Sequence, residues 1–218
     1  MIPSRRVFDE FAGDYDRWFD DHRAVYEAQV RMLRDAVPCY RRGLELGVGS
    51  GRFAVPLGIG YGTDPSRNLL KIAKRRGIEV VIGEGEYLPY RDETFDFVLM
   101  MTVICFLDNP LAVLQETGRV LVNGGDLILG FIEKDGEIAR KYRQEKIKGR
   151  FLRFARFLTI KEGARFAEEA GFSEVSLIRR TRGFCVMKGH KQPKTDRNTG
   201  RILSGLQEPG SISFACIR

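Results

Sequence analysis

Five apolar runs of strand length recur between residues 43 and 132, separated by segments of helical character: Gly43–Leu46, Ile59–Thr63, Ile78–Ile82, Phe95–Met101 and Asp126–Ile132. Parallel neighbours need a crossover long enough to hold a helix, so strands that alternate with helices predict a parallel sheet covered on both faces. The crossovers carry their own boundaries. In DPSRNLLKIAKRRG, Ser66 can cap, Leu69, Ile72 and Ala73 line one face, basic residues fill the last turn and Gly77 stops the helix. In DNPLAVLQETGRVL, Asp108 or Asn109 caps, Pro110 suits the first helical position, and Leu111 and Leu114 face the sheet. Gly124 and Gly125 then turn the chain into the fifth strand, and both crossovers are expected to be right-handed.

The flanks follow different patterns. From Ser4 to about Val37, Phe8, Phe11, Tyr15, Trp18 and Phe19 are spaced as on a helix, which predicts one or two amphipathic helices. Beyond Ile132 the alternation pauses over a basic segment that also holds Phe151, Phe154, Phe157 and Leu158. It resumes with a capped helix from about Thr159 to Ala170, a stop at Gly171 and a strand near Glu174–Ile178. Gly183–Met187 and Ser211–Ile217 compete as the closing strand. The clean apolar character of SISFACIR favours the second, which leaves 188–209 as a long polar loop.

At 218 residues and 43% apolar content the chain can bury one substantial core, and a single domain is expected. No apolar run approaches the roughly 20 residues of a membrane-spanning helix, and MIPSRRVFDEF lacks a signal peptide's apolar block, so a soluble, cytoplasmic protein is expected. Cys39, Cys105, Cys185 and Cys216 are scattered without a CxxC pair and are expected as reduced core thiols. With His22 and His190 the only histidines, no metal site is expected. The net charge of +7 is unevenly spread: Arg140, Lys141, Arg143, Lys146, Lys148, Arg150, Arg153 and Arg156 are opposed by Glu145 alone. That run is either a solvated helix face or an anion-facing surface.

The stretch LELGVGSGRF puts Gly47, Gly49 and Gly51 at alternate positions behind one acid, Glu45. Bare backbone at that density marks either a tight turn or a loop that something approaches closely. The loop ends the first strand and opens onto a helix N-terminus, and open parallel sheets bind ligands beyond the carboxyl ends of their strands. That place favours a bound cofactor. A dinucleotide fingerprint would need GxGxxG, and Arg52 stands where its third glycine belongs, so a dehydrogenase is disfavoured.

The stretch resembles motif I of the class I S-adenosylmethionine-dependent methyltransferases, an acid followed by GxGxG, and the resemblance continues in register from about Phe8 to Ile178. GTDPS resembles the end of that family's second strand, which implies that Asp64, followed by Pro65, accepts from both ribose hydroxyls; a carboxylate has the two oxygens that a vicinal diol requires. GEGEYLPYRDETFDFVLMM resembles the approach to its fourth strand, which ends at Met101 beside the cofactor. By that resemblance Glu84 accepts from the adenine amino group, the Gly85 N–H faces the ring and Glu86 lies beside them, although the family more often has Asp where Glu84 stands. RVLVNGGDLILGF resembles the turn before strand five. FDEFAGDYDRWF is similar to the N-terminal helix of ubiquinone and menaquinone biosynthesis methyltransferases, in which a tyrosine at the position of Tyr15 approaches the methionine end of the cofactor; for Tyr15 and Trp18, ordinary helix packing is the other reading. The implied cofactor is S-adenosyl-L-methionine. The implied fold is α/β: a Rossmann-like, seven-stranded, mainly parallel sheet with helices on both faces. One methyltransferase domain would span 1–218, with N-terminal helices over 1–38 and a helical cap over 133–160.

Transfer from a sulfonium needs an acceptor held on axis more than it needs catalytic side chains, and none is singled out. For an acceptor that must lose a proton, Tyr15, His22 and Glu86 are the candidate bases near the cleft. MMTVICFLDNP departs from the Asn or Asp, Pro-Pro and aromatic signature of nucleobase-amine methyltransferases, so an apolar pocket wall is expected there. With the basic segment above it, the expected acceptor is a small molecule that combines an apolar body with an acidic group, met by Arg150 and Arg153. Nucleic acid is not the expected partner; an RNA-associated protein using the 140–156 surface is the alternative.

Overall fold

The computed structural model describes residues 3–39, 41–144 and 149–193. It begins with α1 (Pro3–Glu10), α2 (Ala12–Asp21) and α3 (Arg23–Arg34). Strand and helix then alternate through β1 (Gly43–Leu46), α4 (Ala54–Leu57), β2 (Tyr61–Asp64), α5 (Arg67–Arg75), β3 (Glu79–Ile82), β4 (Phe95–Met101), α6 (Pro110–Val120) and β5 (Leu121–Ile132). α7 (Glu137–Gln144), a 3-10 turn at Leu152–Phe154 and α8 (Ile160–Glu169) precede β6 (Phe172–Thr181) and β7 (Phe184–Lys191).

The seven strands lie in the order β3-β2-β1-β4-β5-β7-β6. The pairs from β3 across to β5 are parallel, whereas β7 runs antiparallel to both β5 and β6. This is the expected Rossmann-like, mainly parallel sheet. Strand order reverses at β1, which has β2 on one side and β4 on the other, and the loops after β1 and β4 therefore diverge to leave a crevice.

β4 reads FDFVLMM with almost no polar interruption because both of its faces are covered. Phe97, Leu99 and Met101 pack with Leu33 of α3, Ala54 of α4 and Ala73 of α5, while Val98 and Met100 pack with Val113 and Leu114 of α6 and Ala167 of α8. Each large side chain buried this way contributes roughly 1.5–3 kcal/mol. The helix starts follow their sequence signals. Ser66 accepts from the Leu69 N–H, Asn109 accepts from the Ala112 N–H ahead of Pro110, and Thr159 forms a reciprocal capping box with Glu162. No helix among the described residues is long and apolar enough to cross a membrane.

Four details differ from the sequence expectations. The N-terminal stretch forms three helices, broken at Phe11 and His22, where the backbone leaves helical geometry. β5 starts earlier than expected: Leu121 pairs with Phe95 and the next pair is Asp126 with Phe97, so residues 122–125 bulge from the ladder, with Gly124 at φ +73°. Cys105 and Cys185 are buried free thiols, but Cys39 is disulfide-bonded; Cys216 lies outside the described residues. The fourth difference is the closing strand. Ser211–Ile217 lies outside the described residues, and Phe184–Lys191 occupies the sheet between β5 and β6, so 188–191 is strand rather than loop.

The polar end of β7 explains that last difference. Lys188 and His190 look like loop residues in a sequence window, yet both face the buried Asp126 on β5, with Nζ–Oδ2 2.9 Å and Nδ1–Oδ1 2.7 Å. Asp126→Ala should strip both partners from the strand end and lower stability by about 1–3 kcal/mol in a denaturant titration. An unchanged midpoint would mean that β7 is held without this acid.

Candidate functional site

The glycine loop follows β1 into the crevice. Gly49 has φ +52° and Gly51 φ +82°, a left-handed region costly for other residues. The two serve different ends. A Cβ on Gly51 would lie 2.4 Å from Ile78 Cδ1 and 3.4 Å from Ala73 Cβ, so this glycine permits packing against α5 and the residue that leads into β3. Gly49 instead turns its bare face toward Tyr15, whose ring would be 3.3 Å from an added Cβ. The Gly49 N–H donates to Asp64 Oδ2 at 2.9 Å, and the Ser66 N–H donates to Oδ1 at 2.8 Å. Burial pushes the Asp64 carboxyl up to about 6 against the pull of these two amides. Each oxygen keeps a lone pair for another donor.

A cavity of about 1170 Å³ spreads over the carboxyl ends of β1, β2 and β4. Of the residues singled out in the sequence, Tyr15, Gly47, Gly49, Asp64, Pro65, Glu84, Gly85, Glu86 and Met101 line it. Glu45 and Gly51 lie behind the loop instead. Glu45 is buried, accepts from the Ala54 amide and leaves Oε2 without a partner; desolvation holds its carboxyl well above the ordinary carboxylate range.

Helices α1 and α2 form the outer wall, and charge holds them there. Arg52, the residue that breaks the dinucleotide pattern, sends Nε to Asp16 Oδ1 at 2.8 Å and Nη1 to Asp20 at 2.7 Å. Arg76 at the end of α5 grips the same Asp16 through Nη1 and Nη2, at 2.7 and 2.9 Å. Burial alone would raise the Asp16 carboxyl, but hydrogen bonds from Arg76 and Arg52 hold it far below the usual range. Within this wall Tyr15 meets Phe8, Phe19 and Phe151 edge-on at 5.3, 5.2 and 5.5 Å.

The three candidate bases behave differently. Burial, reinforced by the Asp64 and Glu45 charges, pushes the Tyr15 phenol upward and keeps it protonated. His22 stacks on Trp18 at 4.5 Å and brings Nδ1 to 2.9 Å from the Trp18 carbonyl. A ring nitrogen facing a carbonyl must donate, so in the neutral ring Nε2 is the unprotonated nitrogen of a residue that lines the cavity. Glu86 is on the wall as well. The basic segment converges less than expected. Arg150 lines the cavity but pairs with Asp14 and lies 3.9 Å over the Phe11 ring, while Arg153 stacks on Phe154 at 4.6 Å away from the wall.

Some features of the wall carried no sequence signal. Thr102 directly follows β4 with φ +58°, a strained state for a β-branched residue, held by its N–H donating to the Gly130 carbonyl at 2.7 Å. Arg5, Met32 and Arg182, none of them singled out in the sequence, also reach the wall, as does Lys141 of the basic segment.

Known proteins resemble this chain in sequence and in fold. A family model described as a methyltransferase domain matches residues 44–129. An uncharacterized protein of Methanocaldococcus jannaschii is 43% identical over 169 residues, which covers 78% of this chain and 82% of the relative. The crystal structure of a Thermotoga maritima S-adenosylmethionine-dependent methyltransferase, described as a possible histamine N-methyltransferase, superposes with a TM-score of 0.80 at 37% identity over 86% of this chain and 99% of its own. The demethylmenaquinone methyltransferase of Staphylococcus saprophyticus is 27% identical over 139 residues, 56% of this chain and 59% of that enzyme.

The wall's ion-pair tether has an acid limit. Asp16 is depressed in the folded state, so its stabilisation is complete above its unfolded value near 4 and disappears as pH falls toward the folded one. Asp16→Asn should cost about 1–3 kcal/mol at pH 7 and flatten the loss of stability below about pH 4. Denaturant titrations between pH 7 and pH 3 would reveal it, and parallel curves for the two proteins would count against the tether.

Proposed function

The chain belongs to the class I S-adenosylmethionine-dependent methyltransferases, and from that premise we propose that it methylates a small molecule with an apolar body, seated in the aromatic-walled cavity beside the glycine loop. S-adenosylmethionine is the cofactor of this enzyme class, and the residues fit it. Asp64 offers two carboxylate oxygens, each with a lone pair left for a ribose hydroxyl. Glu84, Gly85 and Glu86 would take the adenine end, Gly47 and Gly49 present bare backbone between the two, and Tyr15 would face the methionine end.

When bound, the cofactor supplies a methyl group already activated by its sulfonium. The chain's own task is to bind and orient the acceptor. Met101, Thr102, Val103 and Phe106 after β4, with Phe8 and Phe151 opposite, provide an apolar wall for its body. His22 Nε2 is the nitrogen available to receive a proton from an acceptor that must lose one. An acidic group on the acceptor would meet Arg150 and Arg182, both on the wall, since Arg153 is not. In this scheme the helices α1 to α3 act as a lid, and the described residues of 133–144 and 149–160 as the cap. The aromatic lining carries the proposal, and two relatives named for small-molecule acceptors, histamine and demethylmenaquinone, support it.

Incubation with S-adenosylmethionine and a panel of aromatic amines, quinols and bulk tRNA, followed by mass spectrometry, should give methylated small molecules. Methylation of the RNA alone would overturn the proposal. Cofactor binding should also follow the Asp64 proton. Ribose hydroxyls donate to the ionised carboxylate, so binding is pH-independent above about 6 and requires proton release below it. Calorimetry with S-adenosylhomocysteine should show affinity falling by roughly tenfold per unit below that point, and Asp64→Asn should weaken binding at pH 7.5 by about 1–3 kcal/mol and flatten the profile. A wild-type profile flat from pH 5 to 8, together with unweakened binding by Asp64→Asn, would remove Asp64 from the site.

A further inference from the structure

α1 touches the proposed cofactor site at two points. Asp9 accepts from Ser66 Oγ at 2.8 Å and from the Asn68 N–H at 2.9 Å, and so supplies the acid at the start of α5. One turn earlier Arg5 reaches across to the Glu84 carboxylate in the loop after β3, meeting Oε1 through Nη1. Ser4, Arg5 and Phe8 share the cavity wall there with Ser66, Leu69 and Glu84. The helix therefore spans from the turn that follows Asp64 to the loop that carries Glu84.

On the strength of the cofactor site proposed above, we infer that Arg5 is a cofactor-binding residue, its guanidinium held by Glu84 as the outer wall of the adenine site. The chemistry favours this over an idle surface pair. Only one Glu84 oxygen meets Arg5, so Oε2 remains for a second donor such as an adenine amino group. The Arg5 side chain is 25% exposed and Glu84 51% exposed, and pairs this open to water add little to folding by themselves. A guanidinium anchored at one edge still presents a flat, weakly hydrated face suited to an aromatic base, which a lysine in its place would lack. Asp9 fixes the helix that delivers it, so the wall is set before any ligand arrives.

The opposite assignment is a latch. If adenine had to break the Arg5–Glu84 pair to enter, removing Arg5 would tighten binding. Calorimetry of S-adenosylhomocysteine and of adenosine against wild type, Arg5→Ala, Arg5→Lys and Asp64→Ala decides between them, with thermal melts alongside. A wall residue predicts that Arg5→Ala raises both dissociation constants by roughly tenfold, that lysine does not restore them and that the melting temperature of the free protein hardly moves. Unchanged or tighter binding to Arg5→Ala, while Asp64→Ala loses affinity, would overturn the role of Arg5 alone. Failure of the wild type to bind S-adenosylhomocysteine, or normal binding by Asp64→Ala, would overturn the cofactor site itself.

Discussion

The Asp64 carboxylate joins the two loops that make the mouth of the cavity. One oxygen takes the Gly49 N–H from the loop after β1, the other takes the Ser66 N–H from the loop after β2, and the acid is almost fully buried where they meet. A buried carboxylate is tolerated only where donors surround it. That requirement fixes the spacing of the loops before any ligand is present. It also sets the acid on the cavity wall, where the proposed site would use it to accept from a diol.

Around this point the sheet supplies position and the N-terminal helices supply enclosure. The reversal of strand order at β1 opens the crevice, a consequence of topology alone. Enclosure depends on charge. Asp9, Asp16 and Asp20 on α1 and α2 meet Ser66, Asn68, Arg52 and Arg76 on the sheet domain, and Arg5 meets Glu84 in return. Apolar contact adds to these ties, since Phe8, Tyr15 and Phe19 form an edge-on aromatic chain above the glycine loop. The outer wall is thus pinned at its polar ends and greasy in the middle, where an apolar acceptor would lie. The acids that tie it down also pull Arg52 and Arg76 away from any role with an external anion.

Much of the scaffold was legible in the sequence because local chemistry specified it. The doubly covered β4 reads as an unbroken apolar run, Ser66, Asn109 and Thr159 cap where their neighbours announce helices, and the glycine spacing separates this loop from a dinucleotide loop. Two of the failures share a cause. Lys188 and His190 read as loop residues because their partner, Asp126, is more than sixty positions away in the chain; the same is true of Arg5 and Glu84, separated by 79. Thr102 gave no warning either, since nothing in MMTVICF marks a β-branched residue for a left-handed backbone.

The amino-acid sequence by itself determined the strand and helix order, the glycine loop and the acid that closes β2, because each is a short-range matter of periodicity, capping and backbone freedom. Only the tertiary structure decided which strand completes the sheet, which glycine faces the cavity and which charges enclose it. Those outcomes come from pairings between segments far apart in the chain, and a window of neighbouring residues contains no trace of the partner.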